Sequence, residues 1–202
     1  MVKAKACKVC KAEYAPRSTL QAVCSIECAL RQSRAKRLAG ERKAQRAKDK
    51  QWKADNKPFG KLVSEAQIAT NWYIRMRDWA KPCISCNRTR AEIEASDPHK
   101  PGGYFDAGHF QSVGAHPEKR FNLLNINAQC KVCNGGSGQY ARKRNSVDSS
   151  YRAGMVERYG LDVVKRLEGP SERRKMTRED LVRWAKMMRR RARHYKKLRG
   201  VD

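Results

Sequence analysis

The sequence predicts a small α+β protein that is stabilised by zinc, with basic helices flanking the part that holds the metal. Three observations favour this class. Eight cysteines lie in close pairs along the 202 residues. Apolar residues at helical spacing mark long stretches, whereas the strand-like stretches are short. Aromatic residues make up 7% of the chain and charged residues 33%, so one continuous core through its whole length is not expected.

The cysteines predict two structural zinc sites. A zinc ion takes four tetrahedral ligands, and a close cysteine pair supplies two of them. In a reducing compartment, an even number of close pairs indicates metal binding and not disulfides. Free structural thiols remain the alternative. The pairs are Cys7 and Cys10, Cys24 and Cys28, Cys83 and Cys86, and Cys130 and Cys133.

Pair spacing and composition divide the chain into four segments. The first segment, residues 1–30, is expected to be a hairpin followed by a short helix. The stretch from Arg31 to Lys57 carries eleven basic and three acidic residues, a net charge of +8, and is either a solvated linker helix or an arm that follows phosphates. Pro58 and Gly60 are expected to end it. The segments are a four-cysteine zinc module (1–30), a basic helical linker (31–60), a domain with the second zinc site (61–145) and a basic helical region (146–202).

Local patterns predict the elements of the second half. A helix at 61–79 has one apolar stripe, and Lys81-Pro82 stops it. The stretch 91–103 contains two prolines and two glycines and is expected to be a loop. A short strand at 104–110 is expected to break at Gly108, and a helix is expected near 147–159.

The last helix is expected to begin at Thr177, because Asp180 three residues later forms an imperfect capping box with it. Thirteen basic and two acidic residues between Arg173 and Arg199 give a net charge of +11. The apolar stripe of this helix includes Trp184 and Met188. This stripe is either a contact between two copies of the chain or part of the internal packing.

The total charge predicts a polyanionic partner. Lysine and arginine number 46 against 20 acidic residues, a net charge of +26. Such a surface exceeds what solubility needs, so nucleic acid is the expected partner. The sequence contains no apolar run of membrane-spanning length and no apolar stretch of a secretory signal near its start, so we expect no membrane association and an intracellular location, the cytoplasm of a bacterial host.

Three polar residues stand in register with the second cysteine set. His109 lies between its two pairs, Asn125 five residues before Cys130, and Asn134 directly after Cys133. This arrangement resembles the zinc-supported HNH, or ββα-metal, nuclease family. The resemblance implies a ββα-metal nuclease core. His109 can act as the general base, because an imidazole titrates near neutral pH. The carboxamide oxygen of Asn134 suits magnesium or manganese, and Asn125 can hydrogen-bond the imidazole and fix its orientation.

One position departs from the commonest HNH pattern. Many relatives carry an acidic residue or histidine directly before the base to bind the metal, but this chain has Gly108 there. Asp106 is the nearest carboxylate. Residues three apart on a regular strand face opposite sides, so we expect Asp106 to join the metal only if Ala107-Gly108 makes a turn or bulge. Otherwise it is a hydrogen-bonding residue at the strand end.

A wider resemblance covers nearly the whole chain. Pro-Cys-Ile-Ser-Cys at 82–86, Asp-Ala-Gly-His at 106–109, Arg-Phe at 120–121 and Gln-Cys-Lys-Val-Cys-Asn at 129–134 are similar to the NinG (Rap) family of lambdoid phages. This implies a recombination endonuclease that acts on branched DNA, Holliday junctions or D-loops, with a fold related to phage recombination endonuclease VII. The family often has a histidine where this chain has Asn127.

The sequence therefore predicts a zinc-stabilised DNA endonuclease that depends on magnesium or manganese. Its expected site comprises His109, Asn125, Asn134 and Asp106. Two symmetric incisions at a junction favour a homodimer. The alternative is a non-catalytic zinc-finger protein that binds nucleic acid, which needs the charge and the zinc but not the three polar residues in register.

Overall fold

The computed structural model describes residues 3–96, 103–136, 141–172 and 175–200. The chain divides into two compact units, 1–57 and 58–202, and the second unit takes in both the 61–145 and the 146–202 segments. The elements are β1 (Lys5–Ala6), β2 (Glu13–Tyr14), α1 (Ile26–Asp55), α2 (Phe59–Arg77), α3 (Arg90–Ser96), β3 (Phe105–His109), a 3₁₀ turn (Pro117–Lys119), β4 (Ile126–Cys130), α4 (Lys131–Gly136), α5 (Ala141–Tyr159), α6 (Leu161–Glu168) and α7 (Arg178–Leu198).

The first unit is a two-stranded hairpin followed by one long helix. β1 and β2 pair antiparallel, with Lys5 opposite Tyr14. The Ser25 side chain accepts a hydrogen bond from the backbone amide of Cys28 and so begins α1. The predicted hairpin is confirmed, but the helix after it is 30 residues long, not short, because it continues through the whole basic stretch.

Local side-chain pairs support α1, which is largely exposed beyond Cys28. Ion pairs one turn apart join Glu27 to Arg31 and Glu41 to Arg37, each at 2.9 Å. Pairs of this spacing stabilise a helix by about 0.2–0.5 kcal/mol each. The helix ends at Asp55, and Gly60 lies inside α2 and does not end the linker as expected.

The main core of the second unit lies between α2 and α7. Trp184 Nε1 donates a hydrogen bond to Thr70 Oγ1 at 2.9 Å, and the rings of Tyr73 and Tyr195 meet edge to face at 5.9 Å. Met188 is completely buried in this core. The stripe of α7 therefore serves internal packing at Met188 and is not available there for a second copy of the chain.

The start of α7 agrees with the sequence. The Thr177 side chain accepts from the Asp180 amide at 3.2 Å, and the Asp180 carboxylate accepts from the Thr177 amide at 3.1 Å. Both hydrogen bonds of a capping box are present, so the predicted start is confirmed. The predicted helix near 147–159 is also present, as the second part of α5.

β3 and β4 form an antiparallel hairpin that leads directly into α4. The register is unbroken from Phe105 opposite Cys130 to His109 opposite Ile126. The predicted break at Gly108 is wrong. The buried hydroxyl of Tyr151 donates to the Gly108 carbonyl at 2.8 Å, which holds the strand extended at this point.

Helix α5 packs closely on the turn between Cys83 and Cys86, the first cysteine pair of the second set. A Cβ at Gly154 would lie 1.9 Å from the carbonyl oxygen of Ile84, so only glycine allows this approach. Ile84, Met155 and Val164 then form a small separate core that α6 completes. Helix α6 was not predicted from the sequence.

Part of the expected loop at 91–103 is helical. The Glu92 carboxylate accepts hydrogen bonds from the amide and hydroxyl of Thr89, each at 2.7 Å, and this cap begins α3. Residues 97–102 of the expected loop lie outside the described residues. Within the described ranges, no helix combines the length and apolar character that a membrane crossing requires.

Candidate functional site

The first unit gathers one complete set of four cysteine sulfurs. The Sγ atoms of Cys7, Cys10, Cys24 and Cys28 all lie within 4.8 Å of one another. Two of the separations are 3.4 Å, from Cys10 to Cys24, and 3.7 Å, from Cys24 to Cys28. A tetrahedral zinc ion with Zn–S bonds of about 2.3 Å places its sulfurs about 3.8 Å apart. These residues could therefore hold one zinc ion, as predicted.

The second unit gathers the other set around the start of the β3–β4 hairpin. The Sγ atoms of Cys83, Cys86, Cys130 and Cys133 also lie within 4.8 Å of one another, with Cys86 and Cys130 at 3.9 Å. The backbone amide of Cys130 donates to Cys83 Sγ at 3.2 Å. An amide aimed at sulfur stabilises a thiolate, the form that binds zinc.

The pKa values within each set show that the close sulfurs interact strongly with one another and with nearby backbone amides. Burial raises the pKa of Cys7, but backbone amides at Cys10 and Val9 outweigh it and bring the pKa to about 6. Hydrogen bonds from Cys133 and Cys83 lower the pKa of Cys130 to about 3. Interaction with Cys130 raises the pKa of Cys133 in turn. One thiolate thus opposes the next, and a divalent cation removes this opposition.

His109 ends β3 with its imidazole turned to the loop that joins the two strands. Its Nε2 lies 3.1 Å from the carbonyl oxygen of Arg120. A carbonyl can only accept, so Nε2 carries the hydrogen and Nδ1 is the nitrogen that can take a proton. Burial lowers the pKa of His109 below its usual value and outweighs the hydrogen bond to the Arg120 carbonyl, which raises it; the charge of Arg120 also lowers it. The histidine is therefore neutral at pH 7.

The sequence predicted that Asn125 bonds the imidazole of His109. In the structure Asn125 instead bonds the backbone of the loop that His109 contacts. It is completely buried. Its Oδ1 accepts from the Gln111 amide at 2.8 Å, and its Nδ2 donates to the carbonyls of Gln111 at 3.0 Å and Lys119 at 3.3 Å. Lys119 directly precedes Arg120, so Asn125 positions the carbonyl that holds His109.

Lys119 anchors this loop from the other side, and nothing in the sequence pattern pointed to it. The side chain is 2% exposed, and its Nζ donates to the carbonyls of Leu167 and Gly169. These carbonyls end α6, where a positive charge is favourable because the last helical carbonyls lack partners within the helix. Helix α6 thus fixes the loop beside His109.

Asp106 and Asn134 meet on the opposite face of the hairpin from His109. Asn134 Nδ2 donates to Asp106 Oδ2 at 3.2 Å. The strand between Asp106 and His109 has neither turn nor bulge, and residues three apart in it face opposite sides. The turn or bulge at Ala107-Gly108 that Asp106 was expected to need to join the metal beside His109 is absent from this strand; Asp106 instead meets Asn134 on the face where α4 lies.

Gln129 fills the space that a side chain at position 108 would need. A Cβ at Gly108 would lie 2.2 Å from Gln129 Oε1, and Gln129 is 2% exposed. Its Nε2 donates to Ser85 Oγ at 2.8 Å. An amide oxygen thus occupies the space beside the residue that directly precedes His109.

A buried network supports the hairpin beneath these residues. Arg77 pairs with the completely buried Asp78 carboxylate at 2.6 Å and donates to the Ile126 carbonyl at 2.9 Å. Asn127 accepts from Tyr159 Oη at 2.6 Å and is itself completely buried. Asn127 is therefore part of the core.

Comparisons with known proteins identify the family of this chain. The family model described as "Bacteriophage Lambda NinG protein" matches residues 1–198. The chain belongs to the NinG family. Protein ninG of Salmonella phage P22 and protein ninG of Escherichia phage lambda are each 30% identical over 185 residues, which cover 85% of this chain and 82% of the relative. Protein ninG of Escherichia phage 933W is 30% identical over 188 residues, 86% of this chain and 85% of the relative. No solved structure matches the chain.

The predicted membership in the NinG family is thereby confirmed. Because the match to the NinG model runs from residue 1 to residue 198, it includes both four-cysteine sets and the β3–β4 hairpin. The basic helices α1 and α7 also lie within the NinG match.

Proposed function

We propose that this NinG family protein is an HNH-type, metal-dependent DNA endonuclease that cleaves branched recombination intermediates in the bacterial cytoplasm. The observation that carries the proposal is the fixed imidazole of His109. His109 ends β3, whose first residue pairs with Cys130 of the second cysteine set, and its Nε2 is held at 3.1 Å by the Arg120 carbonyl. Asn125 and Lys119 fix the loop that presents this carbonyl, so the imidazole is held in one orientation.

His109 acts in this proposal as the general base. With Nε2–H donated to Arg120, Nδ1 accepts a proton from the attacking water. The lowered pKa keeps the imidazole unprotonated at neutral pH, ready for this step. A positioned base of this kind accelerates hydrolysis by about a hundred- to ten-thousandfold.

Asp106 and Asn134 are the residues that would hold magnesium or manganese. A carboxylate and a carboxamide provide the hard oxygen ligands that these cations prefer. Asn134 would present Oδ1, which requires its amide to turn over from the present hydrogen bond with Asp106. When bound, the cation supplies stabilisation of charge on the phosphate and the leaving oxygen.

The proposed base and the proposed metal ligands lie on different faces of the hairpin. His109 and Asp106 face opposite sides of one regular strand, so this structure does not bring the two together around one phosphodiester.

The charge of the exposed helices supports DNA as the substrate. The stretch from Arg31 to Lys57, which covers most of α1, carries a net +8, and the stretch from Arg173 to Arg199, which contains α7, carries a net +11. Both helices present basic side chains to solvent. Several basic surfaces on one chain favour a substrate with several duplex arms, and paired incisions favour a homodimer.

One observation favours the alternative, a non-catalytic zinc-finger protein that binds nucleic acid. The residue directly before His109 has no side chain, and Gln129 fills its place. A protein of this second kind would keep both zinc ions and the basic surface but would not hydrolyse DNA.

Nicking of a supercoiled plasmid distinguishes the two functions. The reaction is run with magnesium, with manganese and without added divalent metal. The nuclease proposal expects nicked circles only with one of the metals, and faster cleavage of a four-way junction than of a linear duplex of equal length. Binding without any nicking in either metal would support the zinc-finger alternative.

A further inference from the structure

The second unit contains an open groove next to the loop that holds His109. Its volume is about 950 Å³. The groove lies between the first turn of α2, the loop at 117–122 and the first half of α7. None of the residues proposed for hydrolysis lines it, so it is a separate feature of the surface.

Aromatic and methionine side chains form the apolar wall of the groove. Phe121 and Trp184 lie with ring centroids 5.8 Å apart and planes tilted by 51°. The hydrogen bond from Trp184 to Thr70 fixes the indole ring. Phe59 and Met187 remain 48% and 37% exposed at the groove. Aromatic rings that reach the surface in this way provide faces on which a planar group can stack.

Positive charge surrounds this wall. Arg120, Lys175 and Arg183 line the groove. Two carboxylates also line it, but both have internal hydrogen bonds: Glu118 lies 3.2 Å from His116 Nδ1, and Asp180 caps α7. The cations are thus the groups suited to an anionic occupant.

We infer that this groove binds an unpaired nucleotide of the DNA substrate, with the base against the aromatic wall and the phosphate against the arginines. Aromatic rings combined with basic side chains are the features that bind single-stranded nucleic acid, because every base has a stacking face. A paired base inside a duplex cannot reach such a wall. This inference rests on the proposed function and narrows its substrate to DNA with unpaired bases near the cleavage point.

Arg120 connects the groove to the proposed base. It lines the groove, and its carbonyl oxygen holds His109 Nε2 at 3.1 Å. A nucleotide in the groove therefore lies beside the residue that orients the imidazole. Flipped or unpaired bases occur at junction centres and single-strand branches, so the groove would place such a point next to His109.

Binding of a short, fluorescently labelled single strand tests the inference with the full-length chain and without added divalent metal. Phe59→Ala should weaken single-strand affinity about five-fold or more, since loss of one stacking ring has at least this effect. The control Ile68→Ala removes a side chain from the same helix that is 63% exposed and does not line the groove. It should leave affinity unchanged, and Phe59→Tyr should retain wild-type affinity.

A second variant pair keeps the test valid if Phe59→Ala fails to fold. Arg183→Gln removes a groove cation, and Arg190→Gln removes an exposed cation of the same helix outside the groove. The first should weaken single-strand binding more than the second, whereas both should affect duplex binding equally. Equal losses in each pair would overturn the inference.

Two other outcomes separate this inference from related claims. If Phe59→Ala converted a dimer to a monomer in sedimentation, the groove would be an interface between copies and the inference would be wrong. If the groove variants lost single-strand affinity but no plasmid nicking occurred with either metal, the nuclease proposal would fail while the nucleotide site stood.

Discussion

Replacement of Asn125 by alanine tests how the hairpin loop is held. The side chain is completely buried and makes three hydrogen bonds to the loop backbone. Its removal leaves the amide and carbonyl of Gln111 without these bonds; the 3.3 Å bond to Lys119 is the weakest of the three. A buried polar group left without its partner costs about 1–3 kcal/mol, so two such groups predict a loss of about 2–6 kcal/mol.

Urea denaturation measures this loss from the shift in midpoint at constant slope. Asn122 provides a matched control, because its exposed side chain accepts one hydrogen bond, from the Leu124 amide at 3.0 Å, in the same loop. Asn122→Ala should cost less than about 1 kcal/mol, since an exposed group exchanges its partner for water.

The same substitution should affect cleavage beyond its effect on stability. Without Asn125 the Arg120 carbonyl keeps only the Lys119 anchor to α6, so His109 is held less firmly in its orientation. A displacement of about 1 Å at a catalytic group can lower the rate about a hundredfold. The nicking rate is measured below the unfolding midpoint of the variant. An Asn125→Ala protein as stable as Asn122→Ala would refute this account of the loop.

Three further predictions concern the metals, the buried ion pair and the charged surface. Purified protein should contain two zinc ions per chain by elemental analysis. Structural zinc contributes much of the folding free energy of small sites. Cys130→Ser should therefore unfold the second unit, whereas Cys24→Ser should disturb only the first. Asp78→Asn should destabilise the protein by about 3–5 kcal/mol, since it leaves Arg77 buried without its partner. Burial raises the pKa of Asp78, but Arg77 outweighs burial and the pKa lies below its usual value. The stabilisation that this ion pair gives the folded state is therefore complete above about pH 4 and is lost as the pH falls through the folded-state pKa. Asp78→Asn should thus flatten the acid limb of a plot of urea-unfolding free energy against pH. DNA affinity should fall steeply with salt, by about 0.9 in the logarithmic slope for each neutralised phosphate, and a flat response in a titration series would indicate another kind of partner.

Features encoded by near neighbours could be predicted from the sequence. The cysteine pairs, the N-terminal hairpin and the capping box at Thr177 each depend on residues a few positions apart. The apolar stripe of α2 follows from helical periodicity alone. These signals are local, so the pattern of residue types is sufficient to identify them.

Features that depend on contacts between distant segments could not be predicted. The strand continues through Gly108 because Tyr151, 43 residues later, bonds its carbonyl. Lys119 resembles any surface lysine until α6 supplies its partners 48 and 50 residues away. The predicted role of Asn125 was wrong in detail for the same reason, since its partners Gln111 and Lys119 come close to it only through the folding of the loop.

The central claim is that His109 is the base of a DNA-cleaving site. The most direct measurement is the initial rate of plasmid nicking in magnesium by His109→Ala, compared with wild type and with the exposed-histidine control His194→Ala. The account predicts a loss of about a hundredfold or more for His109→Ala and an unchanged rate for His194→Ala. A His109→Ala protein that nicked DNA at the wild-type rate would contradict the account.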